Sequence, residues 1–274
     1  MNVCRSCPLS ERSCLYEIQN RKKHCAGNVG SPAVFPKAVL GIVPKPLSGR
    51  DGGSSDRPDR LRLFRGREKF PQPDAAVVNL GCGLDNTGRA CDNGSCKIYN
   101  LDFPDVIAVR NKLLPTGERE QNIPCDLKDP AWFDRIDATG GAVFFASGVF
   151  YYFLTQQVRK LVQSMADAFP GSVLVFDAAN RTAVKMIAKT WLKTAKIKDV
   201  GAYFAVSDVK SELSQWDSRL QVSSRGYMLG YSDLKDPSVS GFFRFLAKVG
   251  DGMMKMQIVK IGFEGKDRVE YEKV

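Results

Sequence analysis

Residues 75–80, Ala-Ala-Val-Val-Asn-Leu, form a short and almost unbroken apolar run that follows Pro71 and Pro73 and breaks into Gly81-Cys82-Gly83-Leu84-Asp85. A half-exposed strand alternates apolar and polar residues, whereas a strand buried on both faces reads as one apolar run. This segment therefore suits the interior of a parallel sheet with helices on both sides. The glycines that follow let the backbone pass close to a ligand, because no Cβ stands in the way.

The same rhythm continues downstream. Residues 97–101 read as a second strand ending at Asp102, and Pro104 opens a helix whose apolar side carries Val106, Ile107, Val109, Leu113 and Leu114. Residues 121–125 lead to Asp126, and Asp129-Pro130 supply an N-cap and first turn for a short helix. A strand over 142–146 and a helix over 155–169 follow, the latter with Val158, Leu161, Val162, Met165 and Phe169 at spacings of three and four. Residues 172–176 give a further strand ending at Asp177. Strands alternating with helices mean right-handed βαβ units and a doubly wound α/β sheet. The last third is less regular: helices are expected over 183–196 and 207–216, strands over 220–224 and 255–263, and a Gly- and aromatic-rich insertion, a candidate cap, over 225–252.

Residues 1–70 differ in kind from residues 71–274. They carry 14 Lys+Arg against 6 Asp+Glu, while the rest carries 26 against 24, so the net charge of +10 resides mainly in the front. The front has only four of the 27 aromatics and no sustained period of 2 or 3.6, which predicts an irregular, poorly packed segment. Cys4, Cys7, Cys14 and the pair His24-Cys25 offer thiolates and an imidazole, but without a second close pair the spacing is not that of a standard zinc module, and scattered cysteines are the preferred reading. The basic cluster Arg57, Arg60, Arg62, Arg65, Arg67 and Lys69 is interleaved with Asp56, Asp59 and Glu68 and reads as a solvated linker rather than a nucleic-acid surface. The first 20 residues lack the apolar stretch of a signal peptide, and no run approaches the roughly 20 apolar residues of a membrane helix, so a cytoplasmic setting is expected.

Ligands of doubly wound sheets bind at the carboxyl ends of the strands. Those ends here are Gly81-Cys82-Gly83, Asp102, Asp126 and Ala146-Ser147-Gly148. A dinucleotide fingerprint would put Gly or Ala three residues after Gly83, but that position is Asn86, so the phosphate cradle is incomplete. Asp102, 19 residues after Gly83, suits both hydroxyls of a ribose, and Asp126 suits the exocyclic amine of an adenine. Singly, each is better explained as a helix cap or turn residue; jointly, beside the Gly turn, they favour a nucleoside without phosphates. That describes S-adenosylmethionine better than NAD. Cys82 is expected to fill the turn rather than act as a nucleophile, since no histidine follows residue 70 and neither a Cys-His nor a Ser-His pair can be built there. Cys91 and Cys96 are read as plain thiols. Methyl transfer tolerates this lack, because the sulfonium is already activated and the protein mainly aligns the acceptor.

Residues 77–85 (Val-Val-Asn-Leu-Gly-Cys-Gly-Leu-Asp), Leu101-Asp102-Phe103-Pro104, Cys125-Asp126-Leu127 and residues 148–153 (Gly-Val-Phe-Tyr-Tyr-Phe) resemble, in order, the leucine carboxyl methyltransferase and polyketide O-methyltransferase family of class I S-adenosylmethionine-dependent enzymes. The resemblance covers residues 71 to about 180 well. It implies a Rossmann-like seven-stranded sheet with an antiparallel last strand. It further implies that Gly81 and Gly83 form the methionine-side turn, that Asp102 holds the ribose, and that Asp126 with Leu127 holds the adenine, and Cys82, Asp85 and Ser147 are counted with them as cofactor-binding candidates. Three departures stand out. Asn86-Thr87 replaces the family's Thr-Arg-like pair, Ser147 stands where many members have Glu beside the methionine moiety, and residues 1–70 do not resemble the family's cofactor-covering helices. Either unrelated sequence replaces that front, through a misplaced start or a frame error, or a divergent tail covers the cofactor with one of its arginines; the first is favoured. The expected function is O-methylation of a small-molecule carboxylate or phenol, with Tyr151 and Tyr152 either lining the acceptor site or packing in the core. The alternatives are a non-catalytic remnant lacking its cover and, less favoured, an NAD(P) oxidoreductase.

Overall fold

The computed structural model describes residues 74–187, 189, 201–230 and 239–264. Seven strands lie among them: β1 (Ala76–Leu80), β2 (Lys97–Asp102), β3 (Glu120–Pro124), β4 (Ala142–Ala146), β5 (Val173–Ala178), β6 (Leu220–Gly226) and β7 (Gln257–Phe263). They pair in the order β3-β2-β1-β4-β5-β7-β6. The first five are parallel, and β7 runs antiparallel to both β5 and β6, as the resemblance implies. The chain winds from β1 outward to β3, returns to β4 on the other side of β1, and winds outward again, so the switch point lies between β1 and β4.

The central strands are apolar because both of their faces are covered. β1 and β4 are buried at every residue. One face sends Val78, Leu80, Phe144, Leu174 and Phe176 into a core shared with Trp132, Phe169 and Phe204. Val77, Val143, Phe145 and Val175 point the other way, toward Ile98, Cys91 and Cys96. Helix α3 (Thr155–Ala168) follows its sequence period, burying Val158, Leu161, Val162, Met165 and Ala166 on the first face; the remaining helices are α1 (Thr87–Ala90), α2 (Pro104–Leu113), α4 (Arg181–Ile187), α5 (Val209–Leu213) and α6 (Gly241–Lys248).

The departures from the sequence expectation are local. In α2 it is Ile107 and Arg110 that are buried, while Leu113 is 49% exposed. The segment opened by Asp129 is a 3-10 helix, Pro130–Arg135; the Asp129 carboxylate accepts the Ala131 N–H at 3.0 Å and Trp132 anchors the turn in the core. The helix expected over 183–196 begins at Arg181 and is described to Ile187, and that expected over 207–216 is confined to α5, capped by Asp208. β6 extends to Gly226, so the insertion begins later than residue 225; it includes α6 and a π-turn, Val249–Met253. Helix α1 and the 3-10 turn Phe150–Tyr152 have no counterpart in the sequence reading. The cysteine and histidine set of residues 4–25, the basic cluster of residues 57–69 and the question of a cofactor cover all lie outside the described residues. No helix among the described residues is long and apolar enough to cross a membrane.

Candidate active site

The sheet order aligns four strand ends along one edge: Asp126 past β3, Asp102 at β2, the Gly81–Asp85 turn after β1, and Ser147-Gly148 after β4. The turn itself is closely specified. Gly81 and Gly83 have φ of +67° and +48°, a region open mainly to glycine. A Cβ at Gly81 would lie 2.6 Å from Val149 Cγ2, so the β1 and β4 loops meet through this glycine. Among the described residues, a Cβ at Gly83 would meet no heavy atom within 4 Å, nor would one at Gly148, whose φ is +70°. Both sides of the switch point therefore present backbone that no described side chain crowds.

Asp102 grips the turn directly. Its Oδ2 accepts the Gly83 N–H at 2.7 Å and its Oδ1 accepts the Phe103 N–H at 2.8 Å. The carboxylate thus stands at the end of β2 against the glycine turn, the place where a ribose-binding carboxylate of a doubly wound sheet lies. Asp85 organises the other end of the turn, accepting from the Thr87 hydroxyl at 2.9 Å, the Thr87 N–H at 3.1 Å and Asn79 Nδ2 at 3.2 Å. Asp126 is exposed and makes a turn with the Lys128 N–H at 3.0 Å, while Leu127 beside it is buried.

Cys82 is buried inside the turn, and burial pushes its thiol up to about 12, against the lowering field of Arg110. Burial thus disfavours the thiolate, the form in which a cysteine attacks. Cys91 and Cys96 are buried in the core facing Ile98, with burial raising both thiols.

Four participants escape the sequence reading. Arg110, 1% exposed, donates to the Gly83 and Asp85 carbonyls from beneath the turn. Glu120 pairs with it; burial would raise that carboxyl, but hydrogen bonds from Arg89, the Gly117 N–H and Asn100 hold it below its ordinary value. Gly88 brings α1 close to β2, with Ile98 Cγ2 3.0 Å from where a Cβ would stand, so the tight helix-to-strand contact that a dinucleotide fingerprint would make at position 86 is made here at Gly88. Asp177, at the end of β5, accepts the Gly148 N–H at 2.7 Å and the Tyr151 hydroxyl; burial pushes its carboxyl up to about 6, and these two bonds draw it only partly back. Tyr151 is thus tied to the β4–β5 side of the site, and its burial beside Asp177 holds the phenol well above its ordinary value. Tyr152 is half-buried in the same 3-10 turn.

A Gly turn held by the carboxylate of the next strand, at the switch point of a seven-stranded sheet whose last strand is antiparallel, defines the Rossmann-like fold of the S-adenosylmethionine-dependent methyltransferases. Residues 69–166, which carry most of the site, match the leucine carboxyl methyltransferase family model, and the resemblance read from the sequence is borne out over that segment. The tetracenomycin polyketide synthesis O-methyltransferase of Streptomyces glaucescens is 27% identical over 123 residues, 44% of this chain and 46% of that protein, so the chain spans about half the length of its curated relative. Among solved structures, human N-acetylserotonin methyltransferase in complex with SAM aligns with a TM-score of 0.53 at 11% identity, over 93% of this chain and 57% of the other. A SAM-dependent methyltransferase from Anabaena variabilis aligns with a TM-score of 0.51 at 10% identity, over 94% and 97%. These two likenesses concern the fold.

Proposed function

We propose that this protein is an S-adenosylmethionine-dependent O-methyltransferase acting on a small molecule that presents a carboxylate or a phenol. The observation that carries the reading is the Gly81–Asp85 turn, bound through Gly83 to Asp102 and bare at Gly83 and Gly148 on the two sides of the switch point. The donor set fits the cofactor: backbone without Cβ for close approach, an aspartate at the end of β2 beside the Gly turn for the ribose, and a second aspartate next to a buried leucine for the adenine. Gly81, Cys82, Gly83 and Asp85 would then border the methionine portion, Asp102 the ribose, Asp126 and Leu127 the adenine, and Ser147 the amino-acid end. When bound, S-adenosylmethionine supplies a methyl group already activated on a sulfonium.

The chain's own contribution is orientation. Tyr151 packs in a buried cluster with Ala179, Ala183 and Val184, so the half-buried Tyr152 is the residue of the pair that could meet an aromatic acceptor; the curated relative of Streptomyces glaucescens, a polyketide synthesis O-methyltransferase, supports that class of acceptor. Calorimetric titration with S-adenosylhomocysteine tests the assignment: the folded parent binds, and Asp102→Ala loses most of the affinity. A folded parent that shows no binding heat, or an Asp102→Ala variant that binds as tightly as the parent, sinks it.

A further inference from the structure

Resting on the reading of the Gly turn and Asp102 as the cofactor site, we infer that Arg110 is a positioning residue for that site. It holds the Gly83–Asp85 backbone so that the Gly83 N–H fixes the Asp102 carboxylate. Arg110 stands on α2 next to the exposed Asn111 and Lys112, a place where an arginine would ordinarily lie in solvent. Instead its side chain is 1% exposed, and each of its three nitrogens is directed at an acceptor. Nη1 donates to the Asp85 carbonyl at 2.8 Å and the Gly83 carbonyl at 3.1 Å, Nε donates to Asn122 Oδ1 at 3.3 Å, and Nη2 meets Glu120 Oε1 at 3.4 Å.

The turn is therefore clamped from two sides. Its carbonyls face the guanidinium, while the Gly83 N–H faces Asp102 at 2.7 Å and the Cys82 N–H bonds the Leu101 carbonyl at 2.9 Å. Gly83, at φ +48°, is the residue held by both the cation and the carboxylate. The guanidinium serves the turn as well as the ion pair. Glu120 also receives Arg89 and Asn100, so it keeps a cation without Arg110, whereas the Gly83 and Asp85 carbonyls receive their side-chain donor from Arg110. What only an arginine offers is a planar fork that reaches two turn carbonyls while its far edge is held by Glu120 and Asn122; a lysine ammonium has no such fork.

The test is titration of the full chain with S-adenosylhomocysteine, with melting temperatures recorded alongside. Arg110→Lys is expected to weaken binding about tenfold, the worth of one charge-assisted hydrogen bond, and Arg110→Met about a hundredfold. Because Arg110 acts through Gly83 and Asp102, the loss from Arg110→Lys shrinks to less than about threefold in an Asp102→Asn background. Val162→Ala, a core change in α3 far from the turn, lowers the melting temperature but leaves affinity within about twofold. The inference is overturned if Arg110→Lys binds within twofold of the parent, if its loss is undiminished in Asp102→Asn, or if Val162→Ala loses as much affinity for the same fall in melting temperature. Absence of binding by the folded parent removes the proposed function, and this inference with it; binding by the parent with an indifferent Arg110→Lys removes this inference alone.

Discussion

Asp177 carries a measurable cost at neutral pH. Its carboxyl is pushed from 3.8 to about 6, first by burial and then only partly relieved by the Gly148 N–H and the Tyr151 hydroxyl. Between those two values the native state binds more protons than the unfolded chain, so this group's stabilisation is complete below about pH 3.8 and is lost as the pH rises through 6. At 1.36 kcal/mol per unit the full span is about 3 kcal/mol, of which about 2 kcal/mol falls between pH 4.5 and 7.5. Asp177→Asn removes the titration while keeping an oxygen for the Gly148 N–H and an amide that can donate to the Tyr151 oxygen. Urea unfolding of both proteins, followed by far-UV circular dichroism across that range, gives the difference in unfolding free energy. Parent minus variant should fall by about 2 kcal/mol from pH 4.5 to 7.5 and then level. Carboxylates held below their ordinary values, such as Asp92, Glu120 and Asp217, push stability the opposite way but cancel in the difference. A flat or rising difference curve would refute the account of Asp177 as a half-buried carboxylate kept ionised against its surroundings, and with it the reason to regard the Tyr151–Asp177 pair as part of the site.

Gly81→Ala should cost about 1–3 kcal/mol in the same unfolding assay, because alanine at φ +67° is strained and its Cβ would stand 2.6 Å from Val149 Cγ2. Adding Val149→Ala should recover the steric share and not the backbone share, and a Gly81→Ala protein as stable as the parent contradicts the packing argument. With its thiol at about 12, Cys82 should resist iodoacetamide at pH 8 in the folded protein and react in denaturant, as read by peptide mass spectrometry; rapid native labelling would mean that the turn opens. Phe242 and Phe245 on α6 are 66% and 62% exposed, so changing both to Gln should move the unfolding free energy by no more than about 0.5 kcal/mol. A loss several times larger would show that this face is covered in solution.

The sheet was legible because burial on both faces leaves its mark on sequence: β1 and β4 are continuous apolar runs, and α3 repeats its buried residues at three and four. The strand-end motifs were legible for the same reason, since each interrupts an apolar run. Asp102 shows how far this goes. Its spacing from Gly83 marked it for a ligand, and the structure adds a bond from Gly83 N–H to the same carboxylate, so turn and aspartate are one unit. Asp126 shows where it stops, for its turn bond to Lys128 is equally what a turn residue would make.

The support beneath the turn left no such mark. On α2 the apolar pattern suggested Leu113 as a core residue, yet the turn of the helix that meets β3 buries Arg110 and leaves Leu113 half in solvent. A charged residue is normally evidence for the outside, and only a partner brought from elsewhere in the chain reverses that inference. The partner is Glu120, ten residues later at the start of β3, and neither residue alone hints at the pairing. Asp177 was hidden differently, since an aspartate ending a strand is ordinary until Gly148 and Tyr151 arrive from β4 and its following turn. In both cases the missing information is a long-range pairing fixed by sheet order: β3 beside β2 delivers Glu120 to the underside of the Gly turn, and β5 beside β4 delivers Asp177 to the Ser147-Gly148 rim. The aspartates β2 and β3 carry at their ends thus lie on one side of the switch point and the Tyr151–Asp177 pair on the other, a division that follows from the winding of the sheet and that no local motif encodes.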